Sequence, residues 1–306
     1  MRWKGRRQSN NVEDRRGTTV RAGGGGPIAG GAVGGLLFAL FRRGSGKMKM
    51  IMIVGGIAAC FVFKINPLSL FMSTSGGGGR QVVQNSDYVP SAAEKEMLAY
   101  LATMKKDNEL VWEKIFAAQG WPKYRPSNLI IYRGKTHTPG GVADSRTGPF
   151  YMPANESIYL DPSFFQELSQ KFGATGDFAQ AYVMAHEVAH HVQKLLGLTD
   201  RLNGKSGQER NKLSVRLELQ ADFLAGLFAH HAQERFKFLE QGDLEEAIRC
   251  AKAIGDDTIQ RKSQGRVQPH LFTHGTSEQR QRWFMRGFKS GNLADGDTFS
   301  IPYEQL

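Results

Sequence analysis

The chain has 306 residues, with 40 Lys or Arg against 29 Asp or Glu and a net charge of +11, enough for one large domain or two small ones around a buried core. The excess is local: residues 1–80 hold 13 basic residues and only Glu13 and Asp14 as acids, while residues 81–306 hold 27 of each sign. A nucleic-acid-binding domain would carry its basic patch on the folded part, so the neutral remainder argues against that class, and two cysteines, Cys60 and Cys250, offer no disulfide framework.

In chain order, residues 1–47 read as a basic, glycine-rich tail. Within it the apolar segment 28–41 reads equally as a flexible linker or as a second membrane helix. Residues 48–72 contain the uncharged run Met50 to Phe63, MIMIVGGIAACFVF. With Lys64 snorkelling toward the interface, the run extends to Met72 and reaches the roughly twenty residues a span requires. Basic segments 2–21 and 42–49 precede it, so the positive-inside rule predicts a single-pass membrane protein, N-terminus cytoplasmic, with the following domain on the outer side. Two spans would return that domain inside. A cleaved signal peptide is disfavoured, because its apolar core would begin far earlier in the chain. Residues 73–90, including Gly76 to Gly79, read as a linker, which leaves 91–306 as the domain.

Ser91 followed by Glu94 is a capping-box pattern that opens a helix running to Gly120. Asn128 to Tyr132, NLIIY, reads as a strand, and so do Phe150–Tyr151 and Ser157–Leu160 on either side of the turn-forming PANE. A short helix from Asp161-Pro162 stops at Gly173. Asp177 caps a longer one, FAQAYVMAHEVAHHVQKLLG, with apolar residues at 178, 182, 185, 189, 192 and 196. A polar loop, Gly197 to Gly207, leads to a helix from Glu209 to Phe238. Another helix follows Asp243 with Gly255 at its end, and the last, capped by Ser277, runs through Trp283 to Phe288. Few strands before the motif and helices after it predict an α+β fold, mainly helical with a small sheet.

Within the helix that follows Asp177, His186, Glu187 and His190 form H-E-x-x-H. Positions i and i+4 share one helical face, so two imidazoles can grip one metal ion while the intervening glutamate reaches its water. Catalytic zinc takes three protein ligands plus water. The metzincin extension needs glycine at 193 and histidine at 196; Gln193 and Leu196 exclude it. The alternative is a carboxylate from a second helix, and RLELQADFLAG offers Glu218 and Asp222, again i and i+4: one to bind metal, the other to fix a ligand imidazole by hydrogen bonding. Apolar neighbours Leu217, Leu219, Ala221, Phe223 and Leu224 favour their partial burial over a solvated charge pair. His191 lies about 100° around the helix from His190 and cannot share the metal. His230 and His231 read as surface residues, and His137 is uninformative.

The stretches HEVAHHVQKLLG, RLELQAD, IGDD, QGR and HGTSEQR, with MRWKGRR at the start and GPFY before the motif, resemble the neutral zinc metallopeptidases of bacteria, a membrane-anchored family, over nearly the whole chain. More distantly the pattern resembles the gluzincins that include the CAAX prenyl proteases and the heat-shock membrane proteases. By these resemblances the domain is zincin-like, Glu218 is the third zinc ligand, and Asp222 is its companion in an E-x-x-x-D pair. They also imply that His274 helps stabilise the oxyanion and that Arg280 orients the site carboxylates. Many members carry cysteines near the GPFY hairpin, after the Glu-Asp pair and close to the C-terminus, where this sequence has Met152, Phe223 and Gly296.

The resulting expectation is a zinc metalloendopeptidase with one Zn²⁺ per chain and a peptide or protein substrate, Glu187 acting as general base on the metal's water. Ser157–Leu160 is the candidate edge strand for pairing with extended substrate. Two rival readings are a membrane-tethered, zinc-containing module that binds peptides without cutting them, and a structural membrane protein with an accidental motif. Neither oligomeric state nor substrate identity is encoded in any motif.

Overall fold

The computed structural model describes residues 1–20, 82–84 and 88–306. Strands β1 (Val12–Asp14), β2 (Thr18–Val20) and β3 (Val82–Gln84) precede helix α1 (Ala92–Ala118). Then come β4 (Asn128–Ile131), β5 (Lys135–Thr138), β6 (Gly141–Asp144), β7 (Phe150–Met152) and β8 (Ser157–Leu160). The remainder is helical: α2 (Ser163–Phe172), α3 (Asp177–Leu195), α4 (Gly207–Phe236), α5 (Asp243–Ala253), α6 (Asp256–Gln264) and α7 (Ser277–Ser290). This is the α+β arrangement expected, mainly helical with a small sheet.

Local chemistry sets the boundaries. Ser91 caps α1 by accepting from the Glu94 N–H at 3.2 Å, and Glu94 reaches back to the Ser91 N–H at 2.8 Å, the reciprocal box the sequence predicts. The cap of α7 is Thr276 rather than Ser277, with Gln279 completing the box; Ser277 instead bonds Asp257 and the Lys252 carbonyl. Gly255, expected to end a helix, begins the unforeseen α6, whose Asp256 and Asp257 open the first turn and whose Arg261 and Lys262 close the last, complementing the helix dipole.

The main sheet has the order β1-β4-β8-β7, with β1, β4 and β8 parallel and β7 antiparallel to β8. Side chains alternate across it: Leu129, Ile131, Ile158 and Leu160 enter the helical core, and Ile130, Tyr132 and Tyr159 gather in a second cluster. Ser157–Leu160 is therefore not the free edge, because β4 and β7 occupy both its sides; that edge is β7.

Helix α3 crosses the core against α4, with Val188, Ala189 and Val192 fully buried. Phe178, Phe223, Phe228 and Phe284 are at most 1% exposed, each contributing about 1.5–3 kcal/mol through burial. Helices α4 and α7 meet at Gly226 and Gly287: a Cβ on Gly226 would strike the Phe284 carbonyl, and one on Gly287 the Phe223 carbonyl. This backbone-to-backbone approach brings α7 side chains within reach of α4.

The membrane topology expected from the sequence is corrected. No helix among the described residues is long and apolar enough to cross a membrane, and the segments 28–41 and 48–72 lie outside the described residues, as does most of the linker 73–90. A positive finding also opposes a single crossing between a cytoplasmic N-terminus and an outer domain. Strand β1 pairs in parallel with β4, Val12 opposite Leu129 through Asp14 opposite Ile131, so both sides of the supposed span share one sheet. The basic residues read as topological signals have partners in the fold: Arg6 pairs with Asp107 at 2.6 Å, Lys4 with Glu96 at 2.7 Å and Arg16 with Asp14 at 2.6 Å. Arg6 also stacks 4.1 Å from the Phe236 ring. Residues 1–20 are thus integral to the domain rather than a tail.

Candidate metal centre

Helix α3 presents His186, Glu187 and His190 to a cleft of about 490 Å³, whose opposite walls come from Thr147–Tyr151, from α4 and from His274. His186 and Glu187 are 6% and 8% exposed. One ligand atom from each of His186, His190 and Glu218 lies within 4.8 Å of the others. The His186 Nε2 is 3.1 Å from one Glu218 oxygen and the His190 Nε2 3.5 Å from the other. Two neutral imidazoles and one carboxylate are a donor set suited to catalytic zinc, so these residues fit the ion that the motif implies.

The remaining ring nitrogens are committed. The His186 Nδ1–H donates to Asp222 at 2.9 Å, leaving Nε2 to face Glu218. Asp222 has no exposed surface, and a buried carboxylate of this kind needs full compensation. Arg280 supplies it as a fork, Nε to one oxygen at 2.8 Å and Nη2 to the other at 3.0 Å, and the Tyr182 hydroxyl adds a third donor. Against burial, which would raise it, Arg280 and His186 hold the Asp222 carboxyl below its usual range. Burial lowers the His186 pKa, but Asp222 and Glu218 outweigh it and push it up to about 9.

His190 has a different support. Its Nδ1–H donates to the Gln193 Oε1 at 2.9 Å, and the Gln193 amide donates to the Leu217 carbonyl at 2.7 Å and to Gln220 at 3.0 Å. Gln193 is fully buried and ties the second histidine to α4. Sequence reasoning used Gln193 only to exclude another zinc class; its signal was the i+3 offset from His190. Tyr182, at i−4 from His186 on the same face, carried a similar one.

His274 lies across the cleft with its side chain 42% exposed. Its Nδ1 is 3.0 Å from the Thr273 hydroxyl and 3.2 Å from Asp256. The second Asp256 oxygen accepts from the backbone N–H groups of Thr273, His274 and Gly275 at 2.7, 2.7 and 3.1 Å. Desolvation lowers the His274 pKa, yet Glu218 and Asp256 raise it to about 8. Asp256, missed as a site residue, fixes this loop; its clue was the IGDD stretch.

The other histidines act elsewhere. His191, fully buried, lies 2.9 Å from the Tyr151 hydroxyl and donates from Nε2 to the Arg125 carbonyl at 2.6 Å. It is a brace between α3 and β7 whose pKa burial lowers. His230 and His231 bond the carbonyls of Phe288 and Gly291 near the end of α7, and His137 sits on β5.

A family model described as "Putative neutral zinc metallopeptidase" matches residues 1–299. The chain is 43% identical to the uncharacterized protein YpfJ of Escherichia coli K12 over 303 residues, 98% of this chain and 99% of that protein. It is 39% identical over 202 residues to the uncharacterized protein Rv2575 of Mycobacterium tuberculosis, 63% of this chain and 67% of that protein. No solved structure matches it.

Proposed function

Because the chain belongs to the family described as putative neutral zinc metallopeptidases, we propose that it is an endopeptidase in which His186, His190 and Glu218 hold one zinc ion per chain and Glu187 is the general base. The observation that carries this reading is the convergence of the three donors on a cleft that Glu187 also lines. A purely structural zinc site has no task for such a glutamate.

Held there by His186, His190 and Glu218, zinc would lower the pKa of a water molecule and polarise the scissile carbonyl. The Glu187 carboxylate accepts a proton from the attacking water and returns it to the leaving nitrogen. His274, with Nδ1 engaged by Asp256, has Nε2 available to donate to the developing oxyanion. Asp222 and Gln193 hold the two ligand imidazoles in orientation, and Arg280 keeps Asp222 ionised. Extended substrate pairs with β7, whose Phe150 and Tyr151 line the cleft and whose outer side is the sheet edge.

The test uses the full chain, because a truncation to residues 81–306 would remove β1 from the sheet. Zinc content by mass spectrometry should be near one per chain. Glu187→Gln should keep that zinc while hydrolysis of unfolded casein falls at least about 10²–10⁴-fold. Loss of zinc from Glu187→Gln would mean that residue is a ligand. A zinc-loaded parent no more active than the variant would leave a peptide-binding module as the better account.

A further inference from the structure

Beside the metal cleft lies a second cavity of about 230 Å³. Both are lined by Thr147, Gly148, Phe164, Ile254, Ile259 and His274, so the cavity adjoins the cleft beside the proposed oxyanion donor. Leu168, Phe172 and Leu271 complete its apolar wall. Phe164, Phe172, Ile254, Ile259 and Leu271 are each only partly buried; Phe164, Phe172 and Ile254 pack against the core, and all five keep apolar surface exposed. Apolar surface left open to water is costly, and a cavity of only about 150 Å³ lined by such groups already holds a benzene ring.

The polar groups around it have their own partners. Asp256 is occupied by three backbone N–H groups and His274. Lys171 pairs with Glu167 at 2.7 Å. The Lys262 ammonium donates to the Lys171 carbonyl and sits 4.3 Å from the Phe172 ring. A basic side chain entering here would meet ammonium groups and would find both lining carboxylates already paired.

We propose that this cavity is the specificity pocket of the peptidase: it takes a bulky apolar side chain, of leucine or phenylalanine size, from a residue flanking the scissile bond, and it rejects lysine and arginine. The inference rests on the peptidase reading for the presence of a peptide in the cleft. It adds the substrate class: peptide segments with large apolar residues, which folded proteins bury and unfolded ones expose.

Two measurements test it on the full, zinc-loaded chain. Digestion of a degenerate peptide mixture, with cleavage sites read by mass spectrometry, should show Leu and Phe at one flanking position at least about tenfold over Ala, with Lys and Arg depleted. Ile259→Trp, which fills the cavity, should lower the Leu-to-Ala ratio at least about tenfold, its zinc content confirming a folded site. Independently, binding of short peptides differing only in a central Ala, Leu, Phe or Lys is measured by fluorescence anisotropy on zinc-loaded Glu187→Gln, where Leu and Phe peptides should bind most tightly. Cleavage or binding indifferent to that residue, or a ratio unmoved by Ile259→Trp, overturns the pocket and leaves the zinc chemistry standing. Selective binding without cleavage by the parent overturns the peptidase reading and leaves the pocket in place.

Discussion

Helix α4 contributes to two triplets of histidine and glutamate among the described residues, one shared with α3 and one its own. In its first half Glu218 meets His186 and His190 from α3; in its second, His230 and His231 meet Glu234, again with one ligand atom from each within 4.8 Å. Distance alone does not separate them. What differs is the layer behind. The Glu218 side chain is 15% exposed, and its histidines are oriented by Asp222, itself gripped by Arg280, and by Gln193. The Glu234 side chain is 61% exposed, so it is well hydrated and would lose rotamer freedom on binding an ion. Its histidines hold carbonyls near the end of α7, at 2.8 and 3.1 Å, a helix-end role. The first triplet lines a cleft with Glu187 and the second does not. Proximity of three donors is common to both triplets; buried partners that orient the histidines and an adjoining Glu187 belong to the first alone.

The largest effect separates the triplets outright. Glu218→Ala should abolish stoichiometric zinc, while Glu234→Ala should leave the zinc content of the parent; equal loss in both would erase the distinction. Next, Arg280→Met strands the Asp222 charge in the core, and chemical denaturation should register a loss of about 3–5 kcal/mol. A change below about 1 kcal/mol would mean Asp222 is not sustained by that fork. Gln193→Leu should weaken zinc about 10–100-fold in chelator competition, with the fold retained; unchanged affinity would assign Gln193 to packing alone. Smallest, His231→Ala should cost about 0.5–1.5 kcal/mol, the worth of one hydrogen bond, without touching zinc. A fall in zinc there would make the exposed triplet a second metal site.

The parts legible in the sequence were those written within one helix or between two neighbouring ones. H-E-x-x-H reads at i and i+4, and the Glu218–Asp222 pair repeats the offset, so both faces were foreseeable before their packing. The turn around PANE, the Ser91 box and α3 were legible for the same reason. Helix α6 was not, because IGDDTIQRKSQG is nearly all polar and carries no apolar stripe. The membrane reading failed on a general weakness of composition: the basic residues of 2–21 look alike whether they face a lipid headgroup or an acidic side chain such as Asp107. Ser157–Leu160 was misjudged as an edge because a strand's pattern shows which face is buried, while the neighbours in the sheet are set by segments far away in the chain.

The sequence by itself determined the donor set in kind: two imidazoles and a glutamate within one helix, with a carboxylate pair on another. Helix geometry is local, and 3.6 residues per turn fixes which side chains align. Tertiary structure alone decided that Glu218 faces both histidines while Asp222 turns to Arg280. It also decided that Gln193 and Asp256 orient the site, that β7 is the edge, that residues 12–14 join the sheet, and that a pocket adjoins His274. Each of these depends on packing between distant segments, where the close approach of two glycine backbones or the pairing of two strands places atoms that no local periodicity can.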